Sequence, residues 1–243
     1  MNKNNQMYQI STLQALLLGY TKGVVSAGKF IEHGEIGLGT FAGVNGEMIV
    51  LDRQIYKADN EGNVTKVSDD EGIPFAAITS MRDVIEFDIE KVDSIDQLRV
   101  ILTNAIEEDF GLNSMYAIRI DGRFSVVKAR SESGLVAHHV ELSKILKLNQ
   151  KDFEFKDIEG TMVCLYFPDY MDGVNAAGWH LHFVDESRMH GGHVFDLQFE
   201  KASAKRTKVQ NIQIQLPTDA EFDTYSLKTV SKDEVEKVEQ SKG

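Results

Sequence analysis

The sequence has little cysteine and little proline. Its one cysteine, Cys164, lies in the apolar stretch 162–167, so no disulfide can form within the chain. This excludes a disulfide-stabilised scaffold and a thiolate-rich structural zinc site, and it favours a reducing, cytoplasmic location. We expect Cys164 to be a buried small hydrophobe rather than a reactive thiol. The three prolines form no Pro-rich hinge between domains.

Positive charge and long apolar runs are also scarce. The chain has 26 Lys and Arg against 38 Asp and Glu, a net charge of −12. Because nucleic acids and anionic membranes require a basic surface, we expect neither as a partner. No stretch approaches the roughly 18 apolar residues that a membrane-spanning helix needs. The first apolar segment, residues 10–19, predicts an amphipathic helix beginning near Ser11 or Thr12, not a signal peptide.

The Asn-Gly dipeptide at positions 45 and 46 predicts a β-hairpin with a two-residue turn. Its strands cover residues 39–44 and 47–52. In this register Thr40 faces Leu51, and Glu47 lies on the same face of the hairpin. Taken alone, Glu47 is best interpreted as a solvated residue at the hairpin end.

The Asp-Gly dipeptide at positions 121 and 122 predicts a second hairpin of the same kind. Its strands cover residues 115–120 and 123–130. Arg130 ends the second strand, on the face of Phe124 and Val126 by period-two alternation. Without further information Arg130 is interpreted as a surface arginine.

Helices are few and strands are many. Ser94 and Gln97 form a capping box before a predicted helix over residues 95–106. We expect two further helices at 140–148 and 232–240, and strands at 153–155, 161–167, 178–184, 193–199 and 209–216. The pattern predicts an α+β fold with mixed, largely antiparallel sheets and a few flanking helices. A change of composition near residue 150 suggests two units, a mixed-sheet domain with helices at 1–150 and a sheet-rich domain at 151–243.

Four of the seven histidines lie between positions 180 and 193. If residues 179–184 form a strand, His180 and His182 share one face, opposite an apolar face. If the polar, glycine-containing stretch 185–192 reverses the chain, His193 begins the partner strand beside His182. Three imidazoles with an open fourth position are typical of a catalytic zinc site.

Other ligands remain possible on the residues alone. His190 is a rival third ligand, although it lies in the turn. A His-x-His pair followed by Glu186 also fits a cupin-like iron or manganese oxygenase or isomerase. A third possibility is a non-catalytic module that merely holds a metal or a sugar. The remaining histidines, at positions 33, 138 and 139, show no informative spacing.

Several blocks of the sequence resemble the alpha-acetolactate decarboxylase family. The resemblance rests on residues 8–19, 37–52 and 116–122, on Gly-Trp-His-Leu-His-Phe at 178–183, and on Gly-Gly-His at 191–193. These blocks occur in the expected order over nearly the whole chain. The resemblance implies two domains with mixed sheets, dimers, and the zinc-dependent conversion of 2-acetolactate to acetoin and carbon dioxide.

The resemblance also implies roles for particular residues. It makes His180, His182 and His193 the zinc ligands and Glu47 and Arg130 catalytic-site residues, and it places Thr40 in the pocket. It further implies a glutamate near the C-terminus that reaches the metal site. Glu239 matches best, with Glu234 and Glu236 close enough to confuse the alignment.

Overall fold

The computed structural model describes residues 5–135, 139–224 and 227. Strands make up most of this part of the chain, and they form two large sheets and one small one. The predicted helix at 232–240 and the candidate glutamates 234, 236 and 239 lie outside the described residues. The strands are β1 Gln6–Ile10, β2 Val25–Ser26, β3 Ile36–Thr40, β4 Glu47–Leu51, β5 Gln54–Ala58, β6 Val64–Lys66, β7 Gly72–Ile73, β8 Phe75–Thr79, β9 Ile85–Val92, β10 Met115–Glu132, β11 Gln150–Phe167, β12 Gly178–Asp185, β13 Gly191–Val209 and β14 Asn211–Gln215.

Five α-helices accompany the strands within the described residues. They are α1 Leu13–Leu17, α2 Ala27–Phe30, α3 Ile95–Glu107, α4 Leu142–Asn149 and α5 Ala220–Thr224, with single 3-10 turns at Ile31–His33 and Asp169–Met171. The helix start predicted near Thr12 is confirmed, because the Thr12 hydroxyl accepts a hydrogen bond from the Ala15 amide. The capping box before α3 is also confirmed, since the Ser94 hydroxyl caps the Gln97 amide. No helix among the described residues is long and apolar enough to cross a membrane.

The first large sheet has seven strands in the order β14-β1-β8-β3-β4-β5-β6. Neighbouring strands are antiparallel except β1 and β14, which are parallel. The second has five strands in the order β10-β11-β12-β13-β9, and β10 also pairs with β13. The pairings β10–β11, β11–β12, β12–β13 and β13–β10 therefore close a ring. The α+β class with mixed, mostly antiparallel sheets is confirmed.

Two apolar cores lie on opposite faces of the five-stranded sheet. One contains the apolar face of β12, Trp179, Leu181 and Phe183, and packs against α3. The other joins the five-stranded sheet to the seven-stranded one and contains Ile49 of β4 and Val184 of β12. The face of β12 that carries the histidines is therefore turned toward the seven-stranded sheet.

The first hairpin is present, but its predicted register is wrong. Thr40 pairs with Glu47, not with Leu51, so the loop covers residues 41–46. The loop is longer than predicted because the amides of Ala42 and Gly43 donate to the carbonyls of Gly72 and Thr21. These two residues therefore do not continue the β3–β4 ladder. The shift is by an even number of residues, so the prediction that Thr40 and Glu47 share a face still holds.

The second predicted hairpin does not exist. Residues 115–132 form one continuous strand, β10, because both of its edges are paired. Gly122 lies opposite Gly160 on one side and Ala202 on the other. The Asp121 carboxylate accepts hydrogen bonds from Arg119 and Thr161 instead of closing a turn.

A bulge in β10 also overturns the predicted face of Arg130. The register against β13 shifts by one residue between Phe124 and Val126, which reverses the alternation of side chains. Phe124, Val127 and Ala129 consequently share the core beside α3. Arg130, next to Ala129, points to the other face of the sheet, toward the seven-stranded sheet.

The sheets divide the chain near residues 80–84. The seven-stranded sheet contains β14 and strands that end at or before Thr79. The five-stranded sheet contains only strands between Ile85 and Val209. Position 150 lies at the junction of α4 and β11, and β11 pairs with β10 from this position onward. A division of the chain into two domains stays a prediction.

Candidate metal centre and pocket

The three histidines meet on the face of the five-stranded sheet that is turned toward the seven-stranded one. His180 and His182 lie two residues apart on β12, and His193 pairs directly with His182 across the β12–β13 ladder. One ligand atom from each ring lies within 4.8 Å of the others. All three side chains are buried. Alternation along one strand and register with its neighbour therefore bring three imidazoles to one point.

The rings are oriented with nitrogens facing each other. The Nε2 atoms of His180 and His182 lie 3.1 Å apart, and Nε2 of His180 lies 3.1 Å from Nδ1 of His193. The Nδ1 atom of His182 donates to the Met48 carbonyl at 2.7 Å, which fixes the tautomer and leaves Nε2 with its lone pair.

The electrostatic environment keeps His180 and His182 neutral. Burial, and then the positive charges of Arg130 and Arg99, lower the pKa of His180 to about 3. Burial, and then the neighbouring His180, lower the pKa of His182 well below its ordinary value. Neutral imidazoles offer lone pairs at pH 7, which a metal ion requires. The donor set therefore fits a divalent metal ion.

Glu47 brings a carboxylate to the histidines from the opposite sheet. Its oxygens lie 3.4 Å from Nε2 of His182 and 3.8 Å from Nδ1 of His193. Its side chain is 15% exposed, so the interpretation as a solvated hairpin end is wrong. Buried Ser131 fixes the start of β4: its hydroxyl accepts from the Glu47 amide at 3.2 Å and donates to the Ala58 carbonyl at 2.8 Å.

Arg130 lies beside the histidines rather than on the surface. It pairs with His193 across the β10–β13 ladder, and His193 pairs with His182, so the three residues form one row over three adjacent strands. Arg130 is only 3% exposed. A buried guanidinium next to uncharged imidazoles provides a positive charge for an anion that enters the site.

His180, His193, Glu47 and Arg130 line a single pocket that encloses, with its mouth, about 450 Å³. Thr40 lies in its wall, as expected, and its hydroxyl donates to the Gly46 carbonyl at 2.9 Å. Glu132 also lines the pocket and is 2% exposed. Glu132 is not among the site residues predicted from the sequence, because the predicted strand ended at Arg130. Alternation alone would have placed Glu132 on the same face. The polar residues of the lining include Thr40, Glu47, Arg130, Glu132, His180 and His193.

Other candidates lie elsewhere. The His190 side chain is 48% exposed and contacts Asp185, so it is not the third member of the cluster. Glu186 is exposed and lines a different pocket, beside Arg119 and Arg123. Cys164 is fully buried, and burial raises the pKa of its thiol, as expected of a core residue.

Comparison with known proteins identifies the family of this chain. A family profile described as alpha-acetolactate decarboxylase matches residues 7–229. The alpha-acetolactate decarboxylase of Methanosarcina mazei is 36% identical over 98% of this chain and 81% of its own length. That of Brevibacillus brevis is 32% identical over 97% and 81%. The crystal structure of the enzyme from Bacillus subtilis strain 168 superposes with a TM-score of 0.91 at 30% identity, covering 97% of this chain and all of the other.

Proposed function

Because the chain belongs to the alpha-acetolactate decarboxylase family, we propose that it converts 2-acetolactate to acetoin and carbon dioxide. The observation that carries the proposal is the buried group of three imidazoles, two of which line one pocket with Arg130 and Glu47. The pocket thus combines metal-ligand chemistry, a fixed cation and an acid–base group. These three functions can accelerate the loss of the carboxylate from a β-keto acid with an adjacent hydroxyl.

His180, His182 and His193 are the residues that would hold the metal, and we propose that this metal is zinc. Neutral nitrogen donors suit zinc, and no cysteine takes part. When bound, the metal supplies Lewis-acid stabilisation of the negative charge that the reaction places on the ketone oxygen. The His182 bond to the Met48 carbonyl holds that ring in the tautomer required for binding.

Arg130 is the residue we propose for the substrate carboxylate. Its planar guanidinium can hold a carboxylate by two parallel hydrogen bonds and orient the bond that breaks. In the reaction, the bond between C1 and C2 breaks and carbon dioxide leaves. The bonding electron pair moves toward the ketone to form an enediolate. Thr40, in the wall of the pocket, is proposed to contact the substrate.

A protonated glutamate then has to deliver a proton to C2 of the enediolate, which completes acetoin. Glu47 is close enough to the histidines to do this, at 3.4 Å from His182. Glu239 is the second candidate from the sequence, and it lies outside the described residues. Delivery to one face only would set the chirality of the product.

The rival assignments have less support. The cupin-like ligand set required Glu186 beside His180 and His182, but Glu186 is exposed and lines another pocket. A non-catalytic metal module does not account for a buried arginine and a carboxylate at the same cluster. Dimer formation and a cytoplasmic location stay predictions.

The test is to incubate the purified protein with 2-acetolactate and to measure acetoin and bound metal. His182→Ala removes one of three ligands and should abolish both zinc retention and acetoin formation. His190→Ala is the matched control, because His190 lies in the same hairpin outside the cluster. Full activity in metal-free protein would refute the metal assignment, and absence of acetoin with wild-type protein would refute the function.

A further inference from the structure

The pocket has a polar side and an apolar side. The polar side carries the histidines, Arg130 and the two glutamates described above. The apolar side is formed by α1, the loop after β3, β8 and α4. Its residues are Leu16, Val44, Phe75, Leu142 and Leu146. Such a division suits a small ligand that has charged and polar groups at one end and alkyl groups at the other.

The chemistry of the proposed substrate matches this division. Its carboxylate, ketone and hydroxyl groups all require polar partners. The groups that remain are the alkyl substituent on C2 and the alkyl group beyond the ketone. Because apolar groups gain free energy by leaving water, they belong against the apolar side.

One residue of the apolar side differs from the other four. Leu16, Val44, Phe75 and Leu142 are at most 4% exposed, so neighbouring side chains already enclose them. Leu146 is only half-buried while lining the pocket. It is the apolar lining residue whose side chain retains the most exposed surface.

We propose that Leu146 of α4 determines specificity by limiting the length of the alkyl groups that the substrate can carry. The inference rests on the proposed function and deepens it by naming the residue that sets the upper length of these alkyl groups. Leu142 and Leu146 are four residues apart, so both lie on the face of α4 that is turned to the pocket. Shortening Leu146 enlarges the pocket at this face, and enlarging the side chain fills it.

The helix itself offers a matched control. Leu148 is two residues further on and therefore on the opposite side of the helix, where it is 74% exposed. Leu148→Ala changes the same residue type in the same helix without changing the pocket. Comparing it with Leu146→Ala separates a change of pocket shape from a general loosening of α4.

The experiment compares kcat/KM for 2-acetolactate with kcat/KM for two analogues. Each analogue is longer than 2-acetolactate by two methylenes. The first analogue carries them in the alkyl group on C2, and the second carries them in the alkyl group beyond the ketone. In Leu146→Ala, kcat/KM for the longer substrate divided by kcat/KM for 2-acetolactate should rise about 10-fold or more for at least one analogue. The reason is that a methylene in a tight apolar pocket changes selectivity by about 10-fold to 200-fold. In Leu146→Phe the same ratio should fall, and in Leu148→Ala it should equal that of the wild type.

The outcomes are distinguishable. Both variants are expected to decarboxylate 2-acetolactate. If their kcat/KM ratios are nevertheless equal in Leu146→Ala and Leu148→Ala, the role of Leu146 is overturned and the proposed function stays intact. A wild-type protein that forms no acetoin overturns the proposed function and this inference with it. Because Leu146→Ala and Leu146→Phe shift the ratio in opposite directions, simple destabilisation cannot imitate the expected result.

Discussion

Arg130 shows how one residue obtains its chemical character from its position. The guanidinium is buried, and its strand neighbour across the ladder is His193. A buried positive charge is costly unless polar or charged groups surround it, so its retention in a pocket indicates use. Its effect extends to the histidine cluster, because its charge contributes to the lowered pKa of His180.

Arg130→Lys should bind zinc normally yet lose most of its turnover. Lysine keeps the charge, but its ammonium is a point charge that cannot hold a carboxylate by two parallel bonds. We expect kcat/KM to fall about 100-fold, in the range typical of a lost orienting contact. Steady-state kinetics beside metal analysis of the same preparation check this. Wild-type kinetics in this variant would remove the role assigned to Arg130.

At the scale of elements, the turn between β12 and β13 positions the histidine cluster. Asp185 is 5% exposed and accepts hydrogen bonds from the amides of Met189 and His190 at 2.8 and 2.9 Å, and from the Ser187 hydroxyl. Burial raises the pKa of the Asp185 carboxyl, but the bonds from Ser187, His190 and Met189 outweigh it and leave the pKa below its ordinary value. The turn holds His182 opposite His193.

Asp185→Ala should destabilise the protein and weaken metal binding together. The change removes the acceptor for buried donors in the turn, which costs about 2 kcal/mol of unfolding free energy. Chemical denaturation and zinc titration measure the two effects. Glu186→Ala is the control, because Glu186 is the next residue in the same turn and is exposed. Equal stability and zinc affinity in both variants would contradict this role of the turn.

A second element, α5, is held to the rest of the fold by contacts with Tyr20, Lys22 and His139. Asp219 accepts from the Tyr20 hydroxyl at 2.6 Å, and Glu221 lies 2.7 Å from Nε2 of His139. Lys22 lies within 4 Å of both carboxylates. The hydrogen bond from Tyr20 holds the pKa of Asp219 below its ordinary value, and the contact with His139 does the same for Glu221.

This attachment should weaken in acid. A carboxyl whose folded pKa is lowered stabilises the fold above its unfolded pKa and loses that contribution as the pH falls through the folded value. Hydrogen exchange, corrected for its intrinsic pH dependence, should therefore show α5 losing protection below about pH 4, near the ordinary pKa of Asp and Glu. The buried helix α3 should keep its protection. Unchanged relative protection of α5 would count against these contacts.

At the scale of the whole molecule, the pocket depends on both sheets. The histidines and Arg130 come from the five-stranded sheet, whereas Glu47 and Thr40 come from the seven-stranded one. Contact between β4 and β12 brings the two sets together. A metal at the histidines would bind the folded state and not the unfolded chain, so it should stabilise the arrangement.

Removing the metal with a chelator should therefore lower the melting temperature and abolish acetoin formation. At 1,000 times the dissociation constant, ligand binding adds about 4 kcal/mol. For a chain of this size, that corresponds to a shift of roughly 10 °C. Added zinc should restore both properties, and the melting temperature of His182→Ala should not respond to the chelator. An unchanged melting temperature in chelated wild-type protein would contradict a metal bound to the native state.

Short-range pattern was sufficient for part of the site. The two histidines of β12 share a face because side chains alternate in any strand, and a short turn brings His193 to His182. The same reasoning failed for β10. A bulge between Phe124 and Val126 and pairing on both edges are decided by β11 and β13, which lie far along the chain. Glu132 was missed because the predicted strand ended at Arg130, whereas pairing with β11 extends β10 to Glu132.

Composition and the two-residue period of a strand were enough to predict the fold class, the buried character of Cys164 and the imidazole cluster. Local pattern assigned Glu47 and Arg130 to the surface, and the family resemblance assigned them to the site. The packing of the two sheets is the physical reason that they reach the cluster. Glu47 lies 3.4 Å from His182 although 135 positions separate them in the chain. Packing of one sheet on the other sets that distance, and no local pattern encodes it.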